Sequence, residues 1–299
     1  MPREHRHTLL PLYIGVYCLL WSGAYVAGKV AVADCPPFIV LAVRFLLAGG
    51  LVLAVAPLRR LRWDLSWRDV AVFAVLGIAN NTLCLGLNYV GLRTISAGLS
   101  ALVVSSNPVL TAVLATIFLD ERMTWRKAAG LVLGVAGVAL VVADRVSLGT
   151  EGLSGVSFTV GALVSLVAGT IAYKVLKPKG SLWIGNGIQN LAAGVVLIPF
   201  AVLSDASAIV LSWHLLAAFI FLVLLVSVFA YLIWFYLLDA CGATVASSYH
   251  FLMPPLGMLF GWLILGEHIA AHDLVGVIPV VIGIYLVTRG EVARPAKLR

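Results

Sequence analysis

Charge is what this chain has least of. Only 11% of its 299 residues are Asp, Glu, Lys or Arg, against 62% hydrophobic ones, and the mean hydropathy is +1.07. A soluble domain carries about a quarter charged residues on its surface, so a soluble globular fold is excluded. Cysteines are few too: Cys18, Cys35, Cys84 and Cys241 are scattered, with no metal-ligand spacing. They read as small apolar filler, and neither a metal site nor a cofactor is expected. The histidines are dispersed, with no HExxH-like spacing. No nucleophile–base pair is visible, so an enzyme is not expected. The thirteen acidic residues all fall at the ends of apolar runs, in loops or in tails, and none lies mid-membrane. A carrier of cations wants a buried carboxylate as counter-ion; its absence disfavours cationic drugs as cargo.

What the chain does have is long apolar runs. A spanning helix takes about 20 apolar residues. Runs at 9–32, 36–57, 69–90, 95–119, 126–143, 155–176, 185–204, 213–238, 243–265 and 271–288 read as ten transmembrane helices. The first run is too long for a signal peptide and is read as a retained span. Lys and Arg cluster on one side, at Arg59–Arg60, Arg122–Lys127, Lys174–Lys179 and in both tails. Only Lys29, Arg93 and Arg145 fall on the other, while Arg44 lies within a span. The positive-inside rule then puts both termini in the cytoplasm. The net charge of +7 is thus a topology signal that also suits anionic lipids. Nucleic acid is not an expected partner.

The chain also repeats itself. The stretch 97–142 overlays 243–288 without a gap at an offset of 146, pairing Pro108 with Pro254, Glu121 with Glu267, Gly130 with Gly276 and Gly137 with Gly283. At an offset of 148, Ala24, Tyr25 and Lys29 meet Ala172, Tyr173 and Lys177. Five helices per half is an odd number, so the second half enters the membrane inverted. The expected fold is all-α, two inverted five-helix repeats (1–146 and 147–299) around a central cavity, an architecture suited to alternating access.

The segments LLWSGAYVAGKVAV, PPFIVLAVRFLLAGG, the repeat around LDERMTWRKAAG and the closing LGEHIAAHDLVGVIPVVIGIYLV resemble the EamA-type family of the drug/metabolite transporter superfamily. That resemblance implies ten helices and the export or exchange of small metabolites, without supplying a substrate. It points to an inner-membrane protein, monomeric or weakly dimeric.

Polar residues inside the membrane are costly and become the candidate sites. Arg44, about eight residues into its span or about 12 Å along it, is either a structural charge that bonds helix-end carbonyls or snorkels outward, or an anchor for a substrate carboxylate or phosphate. Asn80, Asn81, Asn107, Gln189 and Asn190 offer amides that serve as interhelical glue or as a polar cavity lining. Tyr25, Tyr173, Tyr249 and His250 would add aromatic walls. Pro108 and Pro254 each remove a helical hydrogen bond and are hinge candidates, with Glu121 and Glu267 as gating residues at opposite faces. Any proton coupling would fall to His250, Glu121 or Glu267. Gly130, Gly134, Gly137, Gly276 and Gly283 would let helices approach closely. An amino acid or a related zwitterionic or anionic solute fits these groups best. An uncoupled carrier of another metabolite and a non-transporting assembly protein stand as alternatives.

Overall fold

The computed structural model describes residues 3–61, 63–147 and 152–269, with positions 275, 276, 278, 279, 281–283, 285 and 286 beyond them. Among the described residues nine long helical segments follow in order. They are α1 (Arg3–Asp34), α2 (Pro37–Leu58), α3 (Trp67–Gly91), α4 (Ala97–Phe118), α5 (Trp125–Ser147), α6 (Leu153–Leu176), α7 (Leu182–Val202), α8 (Trp213–Cys241) and α9 (Ala243–Leu265). Among the described residues, α1 to α4 and α6 to α9, eight helices, are long and apolar enough to cross a membrane. The run expected at 271–288 lies largely outside the described residues, as do the tails. No strand occurs among the described residues.

Local chemistry sets most boundaries. Pro36 and Pro37 end α1 and open α2, because proline cannot continue the preceding helix but suits a first turn. A capping box opens α3: the Ser66 hydroxyl accepts from the Asp69 N–H at 3.2 Å, and the Asp69 carboxylate accepts from the Ser66 N–H at 3.3 Å. Ser96 and Ser212 cap α4 and α8 through the N–H groups of Leu99 and Leu215.

The polar side chains at membrane depth face inward with much of the apolar core, and the outer surface of the helices is largely apolar. Arg44, Asn81, Asn107, Gln189 and Asn190 are buried, whereas Leu47, Leu51, Leu203 and Trp213 are exposed. This is the arrangement a hydrocarbon solvent selects.

Helices at corresponding places in the two repeats run antiparallel where they touch. Along α2 and α7, Gly194 meets Leu46, Gly49 meets Leu191, and Gly187 meets Leu53. As one number rises the other falls. No side chain fits between these backbones, so they lie close. Along α4 and α9, Gly257 meets Ala101 and Gly98 meets Met258, again in opposite directions. Outside these pairs, Gly283 packs on the Gly130 and Gly134 backbone of α5.

The helices carry matching irregularities. Wide π turns interrupt α3 at Ile78–Leu85 and α8 at Phe221–Ala230. α4 breaks at Ser105–Ser106, just before Asn107 and Pro108, and α9 tightens into 3₁₀ geometry at Tyr249–Leu252, just before Met253 and Pro254. Proline lacks the N–H that a continuous helix requires, so the helix restarts at it.

Candidate functional site

The C-terminal ends of α4 and α9 are built alike. Asp120 (φ 54°) and Gly266 (φ 66°) both take the left-handed conformation that ends a helix. The next residue in each case folds back: the Glu121 N–H donates to the Ala115 carbonyl at 3.2 Å, and the Glu267 N–H to the Gly261 carbonyl at 3.1 Å. These are the same bond at the same offset.

That turn aims each carboxylate at the start of the other helix. Glu267 accepts from the Ala97 N–H at 2.9 Å and the Gly98 N–H at 3.2 Å. With Ser96 serving Leu99, the first three orphan donors of α4 are satisfied, and the negative charge meets the positive end of the helix dipole. At the opposite end, Glu121 accepts from the Thr244 hydroxyl in the first turn of α9. One clasp thus uses backbone donors and the other a side chain.

Between the clasps lies a small cavity of about 30 Å³. The aromatic rings of Trp21, Tyr25, Tyr89 and Tyr231 wall it, with Val104, Leu166 and Val226 completing its apolar side. Val104 stands just before the break in α4, between the two clasps and nearer the one at Ala97. The volume suits about one water molecule, so a metabolite fits only if the walls separate.

Arg44 of α2 reaches this cavity and is 1% exposed. Its Nε donates to the Ser227 hydroxyl at 2.8 Å and its Nη1 to the Tyr89 hydroxyl at 2.8 Å. Among the described residues its Nη2 finds no hydrogen-bond partner. Behind it, the Ser227 carbonyl accepts from Asn186 Nδ2 at 3.0 Å and Asn190 Nδ2 at 3.4 Å. A polar seam therefore fixes the guanidinium from α3, α7 and α8 at once. No acidic residue among the described ones lines the cavity, and neither described ion pair, Arg68–Asp69 or Lys174–Asp239, reaches Arg44.

Of the residues proposed from the sequence, the structure brings Tyr25 and Arg44 together at the cavity and puts Asn190 one layer behind them. Asn80 presses instead on Gly169 of α6. Asn81 and Gln189 are buried with side-chain amides lacking partners. Asn107 accepts from Thr111 at 2.8 Å. Tyr173 donates to Asp239 at 3.0 Å, next to Lys174, whose ammonium bonds the Leu238 carbonyl at 3.0 Å. Tyr249 lies 3.9 Å from Cys241 Sγ. His250 is buried in an aromatic cluster, between the Tyr17 hydroxyl and the Ser247 carbonyl, both at 3.2 Å, with Trp234 edge-on to it.

Sequence reasoning missed Trp21, Asn88, Tyr89, Ser227 and Tyr231. The one available signal was the polar–aromatic pair Asn88–Tyr89 within an apolar run. Asn88 donates to Ser100 at 2.8 Å, tying α3 to α4 beside the cavity.

Comparison with known proteins agrees with this architecture. The profile of the EamA-like transporter family matches residues 10–143 and again 153–289. The uncharacterized transporter YvbV of Bacillus subtilis is 29% identical over 97% of this chain and 94% of its own length. A chloroplastic WAT1-related protein of Arabidopsis thaliana is 29% identical over 91% of this chain and 67% of its own. The inner membrane transporter YedA of Escherichia coli is 26% identical over 97% and 94%. A solved crystal structure superposes with a TM-score of 0.70 at 17% identity, covering 94% of this chain and 97% of that one; the likeness there is of fold.

Proposed function

The chain belongs to the EamA-like transporter family and is a multi-pass membrane protein, and from that premise we propose that it exports or exchanges a small solute by alternating access. In this reading ten helices form two inverted five-helix repeats, 1–146 and 147–299, in the inner membrane with both termini cytoplasmic. The solute binds at the cavity beside Arg44, which holds its anionic group.

One observation carries the proposal: the reciprocal clasps at the two ends of the antiparallel α4/α9 pair, with the cavity between them. Two similar but unequal bonds seal opposite ends of one site, which is what two nearly equal, oppositely open states require. Opening means releasing Glu267 from α4 at one face or Glu121 from α9 at the other, with the breaks before Pro108 and Pro254 letting each half-helix tilt. Among the described residues the cavity lining holds no carboxylate to carry a proton, which favours uncoupled exchange.

Reconstitution in liposomes with counterflow of a metabolite panel tests the function. Saturable flux of at least one solute, lost in Arg44→Gln, is expected. No flux of any solute would sink it.

A further inference from the structure

We propose that the solute held at Arg44 is a monocarboxylate with a flat, apolar, preferably aromatic body, recognised through its carboxylate alone and not through an amino group. The inference rests on the transport reading for the translocation step, but the binding chemistry stands on the cavity itself.

Among the described residues no counter-ion meets the buried cation Arg44. Two of its three nitrogens are bonded to neutral hydroxyls and the third, Nη2, is unpartnered. Burying an unpaired charge is costly, and a carboxylate relieves that cost by accepting charge-assisted bonds from the guanidinium. Tyr89 and Ser227 both accept from Arg44, so each retains an O–H hydrogen to donate. Tyr89 itself lines the cavity. A carboxylate oxygen beside Nη2 would thus find a second donor nearby.

The count of charges fixes the rest. Among the described residues, Arg44 is the single charged one lining the cavity. A dicarboxylate or phosphate dianion would bring a second negative charge with nothing to neutralise it. The ammonium group of an amino acid would meet no carboxylate either; ring faces offer it only a weak substitute. Apart from Cys84 and Asn88, whose amide nitrogen is taken up by Ser100, the remaining walls are apolar, chiefly the rings of Trp21, Tyr25 and Tyr231 and the aliphatic Val104, Leu166 and Val226. Flat apolar surface matches them, and aromatic rings pack edge-on or offset against such walls. The reading thus departs from the amino-acid expectation by discarding the amine.

Isothermal titration of the full-length protein in nanodiscs tests this with a matched series: 3-phenylpropionate, phenylalanine, 3-phenylpropanol, phenylsuccinate and propionate. The expected result is that 3-phenylpropionate binds at least tenfold more tightly than each of the others. Arg44→Gln should bring 3-phenylpropionate down to the level of 3-phenylpropanol. Phenylalanine or phenylsuccinate binding as tightly as 3-phenylpropionate would overturn the proposal, as would equal binding of the neutral alcohol. The series on the unaltered protein decides the matter even if Arg44→Gln fails to fold. Flux of another solute in liposomes without binding of 3-phenylpropionate would overturn the substrate class and leave transport standing. Selective binding of 3-phenylpropionate without flux of any solute would support the site and overturn transport.

Discussion

The Glu267 carboxylate closes on the Ala97 N–H at 2.9 Å, across 170 residues of chain, so the end of α9 is held by the start of α4. Glu267→Gln keeps the size and one acceptor oxygen but removes the charge facing the helix dipole. The expected loss is about 0.5–2 kcal/mol, the range of helix N-terminal capping and dipole effects. Thermal unfolding in nanodiscs measures it. Glu121→Gln should cost less, because Glu121 engages a hydroxyl and not two backbone donors.

Asp120 holds φ 54° where its counterpart Gly266 holds φ 66°. Only glycine takes that conformation without strain between Cβ and backbone. Asp120→Gly should therefore raise stability by up to about 1 kcal/mol while leaving the Glu121 clasp in place. Gly266→Ala should lower it by a similar amount. A lower melting temperature for Asp120→Gly would contradict the assignment of strain.

Gly261 has no room for a Cβ, because the Glu267 carboxylate occupies that space. The corresponding residue in the first repeat is Ala115, so the two clasps are packed differently. Gly261→Val should dislodge Glu267 and reproduce the Glu267→Gln loss; adding the second substitution to the first should then cost little more. Additive losses in that double-mutant cycle would show the two residues to be independent.

Much of this was legible in the sequence, for physical reasons. Apolar runs long enough to span a bilayer have no other stable home, so α1 to α4 and α6 to α9 fell within a few residues of their expected places. The Pro, Glu and left-handed-turn positions repeat because the same helix break and the same clasp are built twice. The lining of the cavity was not legible. A π turn adds about one residue to a helical turn and swings later side chains to a new face. In α3 it spans Asn80 and Asn81, which lie off the cavity, and precedes Tyr89, which lines it; in α8 it spans Ser227. Letter matching also paired Lys29 with Lys177. In the structure Lys29 bonds the Leu92 carbonyl ending α3, and Lys174, not Lys177, bonds the Leu238 carbonyl ending α8. Long side chains reach the same place from neighbouring turns.

Tyr89→Phe leaves Arg44 Nη1 without its acceptor and removes the hydroxyl proposed to meet the solute. A hydrogen bond to a charged group contributes about 1.5–3 kcal/mol. Affinity for 3-phenylpropionate should fall about tenfold or more, corresponding to 1.4 kcal/mol per decade. Asn107→Ala should leave affinity unchanged, since its side chain pairs with Thr111. Equal losses in the two variants would argue for a general packing defect.

Cys84 lines the cavity natively and can report which face is open. With Cys18, Cys35 and Cys241 replaced, a membrane-impermeant thiol reagent is applied to proteoliposomes from one side and then the other. Releasing the clasp at Ala97 with Glu267→Gln should speed Cys84 labelling from the face where α4 begins. Releasing the clasp at Thr244 with Glu121→Gln should speed it from the opposite face. Acceleration from the same face in both variants, or from neither, would contradict alternating access through these clasps.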